Sequence, residues 1–438
     1  MTRLGDFAGE LIDLVPRPAE RGRLALHLAD TAGAFRVALT TAEGRTLLRL
    51  AEVGGDDPLS LARGLAGAIR LTELDDINLP GCITASAAIV PAALAAATSA
   101  GSAPDAFAAA LMQGYEAMVR LGIALGGAKA LGAVWPSLFA APFGAAAAAA
   151  RAFGLDGERT AHALALALAM SQGRPGQPGG KLPGRWFLFG DAVGRGLRAA
   201  AAARAGISGD VTLLDGDWLR AASGISEVDL LWFDRGERAP AAMNLSIKPF
   251  CTARQAANAV VCFRDLLPEI GDVQHISSVL VEVAPMHLGL ITRPVQPGHR
   301  LATISNVAQQ IAIAALEPEM LAEAERAGPI SEARQALAAK VRAEGNAELD
   351  SYLPQEWPAR VTVMIGERRI TRLCRAIPGD PTMPLDRAAL AKKYAQNPHW
   401  DAAGTKLMES AAAALADAGA RSELWHALVE QIDKVAEG

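Results

Sequence analysis

A mostly α-helical protein with an α+β second domain is the fold class this sequence predicts, and three observations carry the prediction. The chain has 438 residues, more than one ordinary core accommodates, so two domains are expected. As far as about Pro240, apolar residues recur at helical spacing between glycine- and proline-rich breaks. Beyond about Asn244, Val279, Val281 and Val283, then Val361, Val363 and Ile365, fall on every second position, as half-buried strands require. The expected boundaries are 1–243 with 400–438 for a large all-helical domain, and 244–399 for a smaller α+β domain.

Taken in order, the first element with chemical character is the acidic segment Glu73-Leu74-Asp75-Asp76, followed by a long uncharged stretch. Ser102-Ala103-Pro104-Asp105 reads as a capping box opening a helix through Tyr115, Met118 and Leu121 that closes at Gly126-Gly127. Ala145 to Phe153 reads as a helix ended by Gly154, and Asp156 starts another through Leu164 and Leu168. The run from Gly173 to Gly184 has turn chemistry throughout: either a surface linker or a loop closing over an anion. Arg185 to Ala205 is a helix whose glycines, Gly190, Gly194 and Gly196, imply close packing against a neighbour. Helices near Gln255–Leu267, Ala302–Leu316 and Ile330–Val341 surround the strands. Gly366-Glu367 turns Val361–Ile365 back into Ile370 and Leu373 as a hairpin. Ala402–Ala416 and Ser422–Val435 are amphipathic helices expected to return to the first domain.

Composition excludes several classes. Hydrophobic residues make up 51% and the formal net charge is −5, so the chain is globular and has no basic stripe for nucleic acid. The uncharged runs Ile77–Pro104 and Ala130–Ala150 are long enough to span a bilayer. They are rich in Ala and Gly and interrupted by prolines, which predicts a soluble core rather than a membrane span. Cys82, Cys251, Cys262 and Cys374 form no CxxC pair and no secretory leader precedes them, the pattern of reduced thiols in a cytoplasmic protein. The histidines form no HExxH or Cys/His cluster, so no metal site is expected.

Several segments then fit one family in order. Asp75-Asp76-Ile77 followed by Ala87–Leu94 looks like an Asp-Asp-Thr segment running into a proline-broken helix. Gly114-Tyr115-Glu116 with Val119–Gly122, then Gly144–Ala147 through Gly154-Leu155-Asp156, match the next helices. Lys248-Pro249-Phe250-Cys251 resembles a Lys-Pro-Tyr turn opening a second domain, and Gly379-Asp380-Pro381 with Lys393-Tyr394 its closing motif. Together these resemble the MmgE/PrpD family of 2-methylcitrate dehydratases, cis-aconitate decarboxylases and iminodisuccinate epimerase. The resemblance implies a homodimer with a site between its domains, and cofactor-free chemistry on small di- or tricarboxylates. In that chemistry a base removes a proton α to a carboxylate while cations hold the negative charge.

Carried over residue by residue, the resemblance puts the family's acidic residue before the Asp-Asp pair on Glu73, and its threonine on Ile77. Its histidines fall on Asn78, Thr84, Trp135 and Ala253, with Arg254 and Gln255 beside the last. Its substrate lysine falls on Arg185, Lys248 is retained, and a later tyrosine falls near Gln309. With no imidazole at those positions, the candidate bases are Asp75, Asp76, Glu73, Lys248 and Cys251. Adjacent carboxylates near apolar surface can raise one another's pKa, and a lysine in a dry pocket can be depressed toward neutrality. The alternative is that Asp75-Asp76 caps the following helix or pairs with arginines. The expected catalytic set is Asp75, Asp76 and Lys248. Glu73, Asn78, Thr84, Trp135, Arg185, Cys251, Arg254, Gln255 and Gln309 are expected to bind a small polycarboxylate, with no metal and no cofactor. The implied activity is a lyase, by dehydration or decarboxylation. An epimerase, or a member that binds a ligand without turnover, are the alternatives.

Overall fold

The structure is a computed structural model that describes residues 2–52, 57–176, 184–295, 300–326 and 329–437. In chain order its longer elements are helices α1 (Arg3–Ile12), α2 (Pro18–Ala38), α3 (Ala42–Glu52), α4 (Pro58–Leu71), α5 (Ser86–Ala100), α6 (Pro104–Ala124), α7 (Pro136–Ala152), α8 (Gly157–Ala169), α9 (Gly184–Arg204) and α10 (Trp218–Ser223). Then come α11 (Arg254–Ile270), strand β1 (Ile276–Val283), α12 (Pro285–Ile291), α13 (Arg300–Ser305), α14 (Val307–Leu316), α15 (Glu332–Ala338) and strands β2 (Val341–Gly345), β3 (Ala359–Ile365) and β4 (Arg368–Cys374). Helices α16 (Arg387–Ala395), α17 (Ala402–Ala413) and α18 (Ala418–Glu437) complete the chain. It divides into two units, residues 1–245 with 401–438, and residues 246–400.

The first unit is a helical assembly whose starts are set by short polar caps. Asp57 accepts from the amides of Leu59 and Ser60 ahead of Pro58, Asp156 from Arg159, and Asp401 from Gly404. Each satisfies donors that a helix N-terminus leaves open. The helices approach closely because small residues line their contacts. A Cβ on Gly190 of α9 would lie 2.2 Å from the Arg63 carbonyl oxygen of α4, and one on Gly196 would lie 2.3 Å from that of Pro142 in α7. The glycines of α9 therefore allow backbone-to-backbone packing on both neighbours. Helices α17 and α18 rejoin this unit against α2 and α3. No helix among the described residues is long and apolar enough to cross a membrane.

Three local expectations need correction. Ser102 does not cap α6: Ala103 is the N-cap, with Pro104 in the first turn, and the Ser102 hydroxyl donates to the Ala152 carbonyl at 2.6 Å instead. Proline has no N–H to lose at a helix start, so the helix begins on it. Pro91 does not break α5, which runs through it from Ser86 to Ala100; the proline is buried among apolar neighbours, which offsets the lost hydrogen bond. Pro142 sits inside α7 in the same way, and that helix begins at Pro136, well before Ala145. The glycine-rich run is described at 173–176 and from 184 onward; residues 177–183 lie outside the described residues.

The second unit is a four-stranded sheet in the order β2-β1-β3-β4 with helices packed on it. β1 pairs parallel with β2 (Val279 opposite Val341) and antiparallel with β3 (Val281 opposite Val361). β3 and β4 form the hairpin around Gly366, whose φ of +60° suits glycine. Val279, Val281, Val283, Val361 and Val363 face a core shared with Phe263 and Leu266 of α11 and Ile311 of α14. β2 is a strand where helix was expected: α15 stops at Ala338 and the chain enters the parallel edge at Val341. The 302–316 stretch is two helices, because Asn306 breaks it and caps α14 by accepting from the Gln309 amide.

Candidate functional site

The acidic segment lies in the buried connection from α4 to α5. Asn78 and Ile83 bridge each other there, with amide-to-carbonyl distances of 2.7 and 3.2 Å, and the Asn78 side chain accepts from the Gly81 amide at 2.8 Å. Its amide nitrogen donates to the Asn244 carbonyl at 3.0 Å. Asn78 thus shapes the turn. Glu73 and Cys82 both take left-handed backbone conformations, with φ of +56° and +52°, which non-glycine residues adopt only when their surroundings impose it. Thr84 donates through its amide and its hydroxyl to Ser137 Oγ at 3.0 and 3.1 Å, and Ser137 donates to the Cys82 carbonyl at 3.2 Å. Thr84 is therefore tied to the start of α7, one turn from Trp135.

Asp75 and Asp76 turn to different partners. Arg70 Nη1 lies 3.2 Å from Asp75 and 3.2 Å from Glu73, so one guanidinium bridges both carboxylates. Burial works against the charge on Arg70, but Asp75 and Glu73 outweigh it and hold the guanidinium above its ordinary value. That guanidinium also lies 5.5 Å from the ring centre of Trp135 and 5.3 Å from that of Trp186. Arg185, in the first turn of α9 and half-buried, lies over the same rings, 4.5 and 4.8 Å from their centres. Cation–π attraction on two indoles explains how a cation is held at a helix start that its dipole disfavours. The cluster is two guanidinium groups on two tryptophans, next to two carboxylates.

Asp76 is fully buried and faces the helix interior. Its carboxylate meets His27 Nδ1 of α2 at 2.7 Å, accepts from the Ser86 amide at 3.0 Å and is hydrogen-bonded to the Ser86 hydroxyl. Ser86 Oγ lies 2.7 Å from the Tyr115 hydroxyl. Burial opposes ionisation of Asp76, but His27 and Ser86 prevail, and its carboxyl is held below its ordinary value. The expectation that the neighbouring carboxylates raise one another is thus reversed at Asp76. Burial and the Asp76 charge push the Tyr115 hydroxyl well above its usual range, so it stays protonated as a donor. By receiving the Ser86 amide, Asp76 also serves as a cap for α5.

In the second unit Lys248 is buried in the turn after Ile247, whose amide donates to the Gly379 carbonyl at 2.9 Å. The Lys-Pro turn and the Gly-Asp-Pro motif are thereby laced together. Arg254 completes this lacing, donating to Asp380 at 2.6 Å and to Asn258 at 2.6 Å. The Cys251 carbonyl accepts from Arg326 at 3.1 Å and Gln310 at 3.4 Å. Gln309, one residue before, accepts instead from Arg334 at 3.1 Å. Gln255 is half-buried on α11. Arg254 and Gln309 are thus engaged by the unit itself. His287, packed 4.7 Å from the Trp357 ring centre, is lowered to about 4 by burial and then by the Arg254 charge.

His27, Arg70, Trp186 and Ser137 join the expected residues around the acidic segment and Thr84. His27 lies far from the acidic segment in the chain, and its signal is the trio Arg23, His27 and Asp30 at helical spacing, all three buried. Arg70 is three residues before Glu73, at helical contact spacing. Among the described residues, no three His, Cys, Asp or Glu side chains are grouped as a metal ion would need.

Fold and site together define a class: a large helical unit with a small mixed-sheet unit, whose polar centre is buried carboxylates and guanidinium groups. Residues 16–229 match the MmgE/PrpD N-terminal domain and residues 250–405 match the MmgE/PrpD C-terminal domain. The chain belongs to the MmgE/PrpD family, known for dehydratase and lyase-type activities. Among curated proteins none matches it significantly.

Proposed function

We propose that this protein is a lyase of small di- or tricarboxylates, acting by removal of a proton α to a carboxylate, followed by loss of water or carbon dioxide. The observation that carries the reading is the half-buried Arg185 guanidinium lying over Trp135 and Trp186 beside Arg70, Glu73 and Asp75. Two indoles hold a planar guanidinium, the group suited to gripping a carboxylate with two hydrogen bonds, beside the Arg70 cluster. Asp75 is the proposed base, with Glu73 sharing its cation. Positive charge at Arg70 and Arg185 favours the dianionic enolate that forms as the α-proton leaves. Asp76 is assigned a positioning role, since its carboxylate is occupied by His27 and Ser86. Lys248 is proposed to bind a carboxylate, and the protein is proposed to be a cytoplasmic homodimer.

One observation favours a second reading. Glu73 and Asp75 share one guanidinium and Asp76 is depressed, so each acid has an internal partner that weakens it as a base. A family member that binds a polycarboxylate without turning it over would look this way. Thermal-shift measurements against citrate, 2-methylcitrate, the aconitates and iminodisuccinate test binding. Proton exchange with each binder in deuterated water then tests catalysis. Binding with exchange and release of water or carbon dioxide supports the lyase. Exchange without release marks an epimerase, and binding without exchange marks the second reading. If no polycarboxylate shifts the transition, all three readings are refuted.

A further inference from the structure

The edge strand β4 turns Ile370, Arg372 and Cys374 toward α11, the first of these into the core and the other two half-buried. Arg372 reaches along the helix to the Asp265 carbonyl at 2.9 Å and to Glu269 at 2.6 Å. At the other end, Asn258 donates to the carbonyls of Cys374 and Arg375 at 3.3 and 3.0 Å. One turn further along α11, Cys262 points into the gap between these anchors. Its thiol donates to the Arg372 carbonyl at 3.3 Å, and Cys374, two residues further along β4, packs against the core to which Cys262 belongs. Both cysteines are free; Cys262 is buried and Cys374 is partly exposed.

We propose that Cys262 and Cys374 form an oxidisable dithiol site that hydrogen peroxide converts to a disulfide joining α11 to β4. The site uses no group assigned to polycarboxylate chemistry, so it stands or falls independently of that activity. The two thiols are unequal by position. The Cys262 S–H donates to the Arg372 carbonyl, beside which Cys374 lies on the same strand, and an interaction between the two thiols favours ionisation of Cys374. That interaction, assisted by the Arg372 charge against burial and Asp265, holds the Cys374 thiol below its ordinary value. The same contact and burial push Cys262 up. The more exposed Cys374 is therefore the sulfur an oxidant reaches and the more readily ionised one, and the buried Cys262 is the resolving thiol.

The Cys374 thiolate attacks one peroxide oxygen, forming Cys374–SOH and releasing hydroxide. The Cys262 sulfur then attacks the sulfenic sulfur, its proton leaving with the hydroxyl group as water. Two thiols lose two electrons and two protons, and one peroxide becomes two waters. Cys82 and Cys251 are both buried, so they offer the oxidant no comparable sulfur.

The test treats the reduced full-length protein with a small molar excess of hydrogen peroxide, followed by alkylation and mass spectrometry. The expected wild-type result is loss of two of the four alkylatable thiols and a tryptic link between Gln255–Arg264 and Leu373–Arg375, reversed by dithiothreitol. Cys374→Ser should leave Cys262 reduced. Cys262→Ala should stop at a sulfenic acid on Cys374, trapped by dimedone. Since position 262 is in the core, Cys262→Ser is run beside it and both are checked for a cooperative unfolding transition. The proposal is overturned if wild-type Cys374 proceeds to sulfinic acid without the link, if it pairs with another cysteine, or if all four thiols survive.

Discussion

At the scale of single residues, the acidic segment separates into two jobs that its sequence presents as one. Glu73 and Asp75 face a guanidinium that lies over two indoles, while Asp76 faces an imidazole and a serine that a tyrosine contacts in turn. Asp76→Asn leaves His27 and Tyr115 around a group that no longer carries charge. The expected loss is ~3–5 kcal/mol, the range for breaking a buried pair, read from the urea midpoint. The folded Asp76 titrates below its ordinary 3.8. Its contribution is therefore complete above the unfolded value and disappears as pH falls through the lower folded one. His287 behaves with the same sign for the opposite reason. Its folded value near 4 lies below the ordinary 6.5, so the unfolded chain binds the extra proton between those values. Stability from this residue, at most about 3 kcal/mol, is present above pH 6.5 and is lost on acidification toward 4. His287→Phe should flatten that part of the profile; an unchanged slope would remove His287 as its source.

Among the elements, close helix contacts rest on missing side chains. Gly190→Ala forces a methyl against the Arg63 carbonyl of α4, where backbone cannot yield cheaply. It should destabilise by about 1–3 kcal/mol, as overpacking does. Gly22→Ala, on the exposed side of α2 with nothing within 4 Å of the new methyl, should stabilise by up to about 1 kcal/mol through helix propensity. Thermal unfolding of the pair distinguishes packing from propensity, because both remove one glycine from a helix. The same elements show how far the sequence could be read. α8, α11 and the β3–β4 hairpin were legible because caps, apolar spacing and a Gly turn agree locally. β2 was not, since Val341-Arg342-Ala343-Glu344-Gly345 has one β-branched residue and takes its strand character from parallel pairing with β1. The Asp-Asp segment was legible as a place, whereas His27 and Trp186 reach it through helix packing, which no local spacing records.

For the whole molecule, the last two helices belong to the core that the first residues begin. Leu407, Met408, Ala411, Leu424, Leu428 and Ile432 are buried, and Ala411, Leu424 and Leu428 close an apolar cavity with Leu28 and Phe35 of α2 and Pro91 and Leu94 of α5. Ending the chain at residue 400 should uncover that surface and make unit 1 protease-sensitive, while Leu428→Ala in the full chain should cost ~2–5 kcal/mol. A truncated chain as resistant as the intact one would show that α17 and α18 are not part of that core. The guanidinium–indole cluster of unit 1 is proposed to grip a polycarboxylate. Calorimetric titration of wild type and Arg185→Gln with the polycarboxylate that shifts wild-type stability most tests it directly. Saturable binding to wild type is expected, with at least ~10-fold weaker binding to the variant, the ~1.4 kcal/mol expected from one charge-assisted contact, and unchanged circular dichroism. Equal affinity in the two proteins would contradict it.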